Sequence, residues 1–170
     1  MTAPTLELDI DPVWGPMSGH ATDWEALAAR AAEAAAVVAP ELGNEALLVS
    51  LVFADDDEVQ ALNKQWRAKD KPTNVLSVPM LSRAEVLHAA ADPGHAGMLG
   101  DLILAHGVCM REAADKGVPV EAHATHLIDH GLLHLAGYDH EIGAAEASQM
   151  EALETKALAM LGLADPYGAD

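Results

Sequence analysis

Three histidines near the carboxyl end of the chain are the residues whose spacing most directly predicts chemistry. His130, His134 and His140 lie in the segment His-Gly-Leu-Leu-His-Leu-Ala-Gly-Tyr-Asp-His, residues 130–140. On a helix, side chains four residues apart project from one face. Gly137 is suited to end that helix in a left-handed turn, so the chain can fold back and bring His140 beside the other two. Three imidazoles without a fourth protein ligand indicate a zinc-type site with an open position that can hold water.

A structural interpretation of these histidines competes with the metal site. The chain has nine histidines, so one pair at helical spacing can arise by chance. A single histidine on an apolar helix face more often packs in the core than binds a metal. The triple with an interposed glycine favours the metal site.

The same spacing also occurs in the metzincin proteases, whose motif is H-E-x-x-H-x-x-G-x-x-H. In those proteases the residue after the first histidine is a glutamate that activates water. Here that residue is Gly131, which has no side chain. The sequence therefore disfavours a peptidase.

The segments around the histidines predict one α+β domain over residues 1–170, with a small mixed sheet of about four strands and about five helices. Apolar patterns predict strands at residues 5–10, 47–53, 73–79 and 100–104. Two helices are predicted to begin after Asp23 and after the aspartates at residues 55–57. Three more are predicted at residues 109–116, 119–135 and 144–161. Residues 82–98 are a connection with a short helix and a turn at 92–94. The metal site is expected on the histidine helix and the turn after it.

Two smaller expectations concern the third strand and the second helix. Pro79 ends the third strand, which predicts an edge or terminal position in the sheet. Val59, Leu62 and Trp66 are spaced to share one face of the second helix. We therefore expect those three side chains to point in one direction.

Composition predicts a cytoplasmic protein. A single cysteine, Cys109, excludes an intramolecular disulfide and fits a reducing compartment. The amino terminus lacks the basic and apolar regions of a signal peptide. No apolar run reaches the roughly 18 residues that a membrane span needs, so no membrane partner is expected.

Charge is distributed unevenly along the chain. The net charge is −18, with 27 acidic residues, which by itself argues against a protein that coats nucleic acid. Four of the nine basic residues, however, are Lys64, Arg67, Lys69 and Lys71, here named the basic cluster. The cluster indicates a local phosphate-binding surface, or else a solvated helix end stabilised by the helix dipole.

The histidine segment resembles the signature of the YbeY family of metal-dependent endoribonucleases, which act in ribosomal RNA maturation. Residues 67–79, Arg-Ala-Lys-Asp-Lys-Pro-Thr-Asn-Val-Leu-Ser-Val-Pro, resemble the family's R-x-K-D-x-P-T-N-V-L-S-F-P run. Leu-Gly-Asp-Leu-Ile at 99–103 and Met-Glu-Ala-Leu-Glu at 150–154 are also similar to family segments. The resemblance covers most of residues 47–163.

Three positions depart from the family's pattern. Val78 stands where the family commonly has Phe, and Trp66 stands where Tyr or Phe is common. These two departures put the details of base stacking in doubt. Asp129 stands where an aliphatic residue is frequent. It either alters the charge near the metal or points away from it.

The resemblance implies the roles of the site residues. His130, His134 and His140 match the family's ligands for one zinc ion, and with Arg67 they form the predicted catalytic set. A guanidinium is a planar, always-charged fork that suits phosphate oxygens. The nucleophile is open between water on the metal and the ribose hydroxyl.

The implied activity is cleavage of single-stranded RNA in ribosomal RNA processing, at the 3′ end of small-subunit rRNA, and in ribosome quality control. DNA is not an expected partner. The alternative is a non-catalytic ribosome-assembly factor with a structural metal. The acidic body suits basic ribosomal proteins as partners.

Two neighbours of the site keep open roles. Asp139 either orients a ligand histidine or caps the turn. His126 either extends the histidine stripe or, as favoured here, lies outside the coordination sphere.

Overall fold

A computed structural model describes residues 2–15, 23–91, 97–138 and 143–166. The predicted ligand His140, Asp139 and the predicted turn at 92–94 lie outside the described residues. In chain order the elements are β1 (Thr5–Ile10), α1 (Trp24–Val38), β2 (Leu47–Ala54), α2 (Asp56–Arg67), β3 (Val75–Pro79), α3 (Arg83–Ala91), β4 (Gly97–Ala105), α4 (His106–Lys116), α5 (Val120–Leu135) and α6 (Ala144–Met160). The predicted strands and helices are confirmed, with differences at their ends.

The four strands form one mixed sheet in the order β1-β2-β4-β3. β1 and β2 are parallel, and so are β2 and β4. β3 is antiparallel to β4 and lies at an edge, as Pro79 predicted. The sheet and its helices confirm the predicted α+β fold.

The two faces of the sheet pack against different helices. Alternate strand side chains point to opposite faces. Leu102 and Leu104 belong to the main core, which α1, α5 and α6 also fill. Ile103 belongs to a smaller cluster with Val59 of α2. The histidine helix α5 therefore lies on the main-core side of the sheet.

A glycine allows α5 to approach the sheet closely. A Cβ atom at Gly131 would lie 2.6 Å from Cδ2 of Leu102 on β4. A side chain at this position would meet the sheet. The absence of a protease-type glutamate after His130 thus has a packing reason as well as a chemical consequence.

Helix ends follow the capping residues that the sequence contains. The carboxylates of Asp23 and Asp55 accept hydrogen bonds from the N–H groups of Ala26 and Glu58, each at 2.8 Å. Gly137 follows α5 with φ of 106°, a conformation that favours glycine. The predicted turn after the histidine helix is confirmed as far as Tyr138.

The predicted number of helices needs correction. The described residues contain six α-helices instead of about five, because α3 is a full helix. Alanine occupies four of its nine positions, so it shows no clear apolar stripe. On α2, Val59 is buried but Trp66, seven residues further along the same helix, is 45% exposed, so the face predicted by their spacing is not buried along its whole length.

Within the described part of the chain, we find no helix with the length and apolarity required to cross a membrane.

Candidate active site

Helix α5 carries a row of four histidines spaced three or four residues apart. The His123 and His126 rings are centred 6.2 Å apart, and the His126 and His130 rings 6.4 Å apart. His123 and His126 are buried, whereas His130 and His134 are partly exposed and line a cleft. The row therefore runs from the protein interior to an open surface.

Glu154 of α6 joins two of these histidines. Its Oε1 lies 2.7 Å from Nε2 of His126 and 3.1 Å from Nδ1 of His130. Burial opposes ionisation of Glu154, but the histidine hydrogen bonds outweigh it and lower its pKa to about 2. The ionised carboxylate accepts a hydrogen bond from each imidazole.

That contact selects the tautomer of His130. A carboxylate only accepts hydrogen bonds, so the His130 proton is on Nδ1. The imidazole lone pair is then on Nε2, the nitrogen that a carboxylate–histidine–metal arrangement uses to bind metal. The geometry prepares His130 for metal ligation.

Asp129, the neighbour of His130 in sequence, is as fully buried as Glu154 but differs from it in hydrogen bonding and in the direction of its pKa shift. Its exposed fraction is 0%, the same as that of Glu154. Neither carboxylate oxygen forms a hydrogen bond with any described residue. Burial, together with the negative charge of Glu154, raises the pKa of Asp129 well above its ordinary value. Asp129 thus points away from solvent, into the protein.

A cleft of about 700 Å³ brings the histidines and the basic cluster to one surface. His130 and His134 line it together with Arg67, Lys69 and Lys71. A polyanion in the cleft would meet three positive side chains and two imidazoles.

The loop after α2 is held in place by its own hydrogen bonds. Arg67 is the last residue of α2, and Ala68 follows in a left-handed conformation with φ of 57°. The Asn63 side-chain amide donates to the Lys71 carbonyl at 2.8 Å. Lys64 does not line the cleft, and its Nζ lies 3.8 Å from Asp70. The basic cluster therefore divides into three cleft residues and one outer lysine.

One carboxylate in the cleft wall ties three elements together. Glu112 of α4 accepts hydrogen bonds from Asn74, at 3.0 Å, and from Nε2 of His123, at 2.8 Å. Burial opposes ionisation of Glu112, but these two hydrogen bonds outweigh it and lower its pKa. Glu112 fixes the start of β3 against α4 and α5.

The turn after α5 is anchored from another part of the chain. Arg83 donates to the Ala136 carbonyl at 2.8 Å and to the carboxylate of Glu41. The Tyr138 hydroxyl donates to the same Glu41 carboxylate at 2.8 Å. The guanidinium of Arg83 lies 4.6 Å from the centre of the Tyr138 ring. These contacts hold the described beginning of the segment that leads to His140.

Comparison with known proteins identifies the family. A sequence profile described as Endoribonuclease YbeY matches residues 18–162. The protein named Endoribonuclease YbeY from Novosphingobium aromaticivorans is 75% identical over 170 residues, which is 100% of this chain and 99% of that relative. The chain belongs to the YbeY endoribonuclease family. The resemblance seen in the sequence is thereby confirmed.

A second named relative agrees in sequence, and a solved structure agrees in fold. The Endoribonuclease YbeY of Erythrobacter litoralis is 54% identical over 146 residues, which cover 86% of this chain and 90% of that relative. The solution structure of TM1509 from Thermotoga maritima is similar with a TM-score of 0.53 and 21% identity, covering 96% of this chain and all of that one. At this identity the structural likeness concerns the fold alone.

Three of the four predicted catalytic residues lie in the part of the chain that the structure describes. Arg67, His130 and His134 line one cleft. His126 is buried beside Glu154 and does not line that cleft. His140 lies outside the described residues, so its part in the site remains a prediction.

Two carboxylates of this YbeY site were missed in the sequence. Glu154 lies four residues from buried Met150 and four from buried Leu158. A glutamate within such an apolar stripe was the available signal. Glu112 gave no comparable signal, because only the folded chain brings it to Asn74 and His123.

The described donors suit a metal although they do not complete its site. No group of three or more His, Cys, Asp or Glu side chains within the described ranges is arranged to hold a metal ion. His130 and His134 are one helical turn apart, and the carboxylate of Glu154 fixes the tautomer of His130. These features fit zinc, which commonly takes neutral imidazole ligands.

Proposed function

We propose that this chain is a zinc-dependent endoribonuclease that cleaves single-stranded RNA. The observation that carries the proposal is the shared cleft, in which Arg67 and two lysines accompany His130 and His134. A local positive surface on a chain of net charge −18 gives a phosphate backbone one favoured place to bind. Membership of the YbeY endoribonuclease family supports the same activity.

His130, His134 and His140 would hold one zinc ion. When bound, zinc supplies a Lewis acid and lowers the pKa of water toward neutrality. Glu154 orients His130 and keeps its proton on Nδ1. Arg67 binds the phosphate at the cleavage point and stabilises the negative charge that develops on its oxygens.

The proposed cellular substrate is ribosomal RNA, cleaved by a single-domain protein in the cytoplasm. We place the activity in processing of the 3′ end of small-subunit rRNA and in ribosome quality control. The sequence motifs at residues 67–79 and 130–140 support this assignment. The acidic remainder of the surface suits basic ribosomal proteins as further partners.

The test is cleavage of a single-stranded RNA by purified protein and three variants. His134→Ala and Arg67→Ala should each slow cleavage about 100-fold or more, because each removes a group that acts on the reacting phosphate. Arg30→Ala is the matched control for Arg67→Ala. Arg30 is exposed on α1 and does not line the cleft, so its variant should cleave at the normal rate. Undiminished cleavage by both site variants would overturn the proposed mechanism.

Metal removal separates this proposal from a non-catalytic assembly factor. With a chelator, the catalytic proposal expects lost cleavage and an intact fold in circular dichroism. Loss of the fold, together with RNA binding but no turnover by the metal-loaded protein, would favour the assembly factor.

A further inference from the structure

The outer edge of β3 is part of the cleft. β3 is one of the two edge strands and pairs only with β4 in the described sheet. Every residue of β3, from Val75 to Pro79, lines the cleft. An edge strand carries main-chain N–H and C=O groups that no neighbouring strand uses. The cleft therefore offers main-chain hydrogen bonds beside its charged side chains.

Two hydrogen bonds at the ends of β3 fix which residues bond to β4. The Ala105 N–H donates to the Asn74 carbonyl, and the Met80 N–H donates to the Leu99 carbonyl, both at 3.0 Å. Both pairs continue the strand register, in which Val75 faces Leu104. In an antiparallel ladder, hydrogen-bonded pairs alternate along each strand. The even-numbered residues from 74 to 80 therefore bond to β4.

The odd-numbered residues of β3 turn their main-chain groups away from β4. These residues are Val75, Ser77 and Pro79. The Val75 N–H already donates to the side-chain oxygen of Asn74 at 2.7 Å. Proline has no N–H. Among the described strand residues, Ser77 therefore supplies the single outward donor of β3, next to its own outward carbonyl.

We propose that the main chain of Ser77 binds the edge of an unstacked nucleobase of the RNA. This inference rests on the proposed function. A base edge presents hydrogen-bond donors and acceptors side by side, and unpaired RNA exposes such edges for recognition. The Ser77 N–H and C=O offer the complementary pair. Arg67, Lys69 and Lys71 line the same cleft and bind the phosphates on either side of that base.

The edge of β3 is poorly suited to an extended peptide. Strand addition uses main-chain donors and acceptors at every second residue of the edge. Here the donor is occupied at Val75 and absent at Pro79, which leaves only Ser77. The three positive side chains also favour a polyanion over a neutral peptide. RNA is therefore the occupant that the cleft matches best.

The experiment measures binding of short single-stranded RNAs to the full-length protein by fluorescence anisotropy. Each RNA lacks the base at one position, so the series scans every nucleotide while the phosphates stay in place. For wild-type protein we expect one position at which the missing base weakens binding about five- to tenfold. Ser77→Pro removes the outward N–H without removing a bond to β4. It should bind the complete RNA as weakly as the wild type binds that abasic RNA.

Ser77→Ala is the control, because it removes the hydroxyl and keeps the N–H. It should retain the wild-type response to the missing base. A second measurement covers the case in which Ser77→Pro fails to fold. Hydrogen exchange of the Ser77 amide in the wild-type protein should slow when RNA binds.

Four outcomes would overturn the inference. In the first, no abasic position matters although RNA binds and is cleaved, which leaves the proposed function intact. In the second, Ser77→Pro folds and responds like the wild type. In the third, the Ser77 amide is protected by an extended peptide and not by RNA. In the fourth, the wild type neither binds nor cleaves RNA, which also overturns the proposed function.

Discussion

Glu154 and Asp129 are two equally buried carboxyl groups whose pKa values are shifted in opposite directions. Both have an exposed fraction of 0%. Glu154 contacts two histidines, and its pKa falls to about 2 despite burial. Asp129 forms no hydrogen bond within the described residues, and burial raises its pKa. Hydrogen-bond partners, and not depth, therefore decide whether a buried carboxyl group in this region is charged.

The difference also divides site residues from neighbours of the site. Glu154 acts on His130 through a direct contact of 3.1 Å. Asp129 is adjacent to His130 in sequence, but its oxygens bond to no described group. We therefore assign Glu154 to the proposed metal site as a positioning residue, and we assign Asp129 no part in it.

The largest expected effect is on zinc affinity. Glu154→Gln keeps the shape of the side chain but removes its charge, so His130 loses its carboxylate acceptor. We expect zinc affinity to fall about 10- to 100-fold, measured by competition with a chromophoric chelator. Glu151→Gln is the matched control, because Glu151 lies on the same helix and has no hydrogen bond to a histidine in the described structure. Equal affinity of the two variants would contradict the role of Glu154.

An apolar substitution should have opposite effects on stability at the two positions. Asp129→Val removes a buried carboxyl group that has no hydrogen-bond partner among the described residues, so the free energy of unfolding should rise by about 1–3 kcal/mol. Glu154→Met leaves the His126 and His130 donors without their acceptor and should lower it. Urea unfolding of the metal-free proteins measures both changes. Changes of the same sign would show that the two carboxyl groups do not differ as described.

Glu41 extends the comparison to a carboxylate with an arginine partner. Burial opposes ionisation, but hydrogen bonds from the backbone, Arg83 and Tyr138 outweigh it and lower the pKa of Glu41 below its ordinary value of 4.5. A lowered pKa in the folded state stabilises the fold above pH 4.5, and this contribution is lost as pH falls through the folded-state pKa. Glu41→Gln should therefore be less stable than wild type at neutral pH. The difference in unfolding free energy should shrink in acid.

A difference that stays constant between neutral pH and about pH 3 would contradict this explanation. Because Arg83 and Tyr138 hold the turn after α5, we expect Glu41→Gln to change mainly the free energy of unfolding. This change should be smaller than the effects at Glu154 and Asp129, because Arg83 is partly exposed to solvent.

The sequence predicted those features that depend on neighbouring residues. Asp23 and Asp55 cap helices, Pro79 places β3 at an edge, and Gly137 forms the left-handed turn, as local chain chemistry requires. The pairing of His130 with His134 follows from helical spacing alone. For these features the sequence contains the physical cause within a few residues.

The sequence did not predict the partners of the histidines. Glu154 is 24 residues from His130, and Glu112 is 11 residues from His123. Both contacts depend on how α4, α5 and α6 pack together. The burial of Asp129 also remained open, because the sequence alone does not show which side of the helix packs against neighbouring elements. Tertiary packing decided these points.

The most direct test compares the rates at which Glu154→Gln and Asp129→Val cleave a single-stranded RNA, both at limiting zinc. The Glu154–His130 contact predicts that Glu154→Gln is about 10- to 100-fold slower than wild type, whereas Asp129→Val cleaves at the wild-type rate. Equal rates for the two variants, or a normal rate for Glu154→Gln, would contradict the claim that the Glu154–His130 contact prepares this cleft for RNA cleavage.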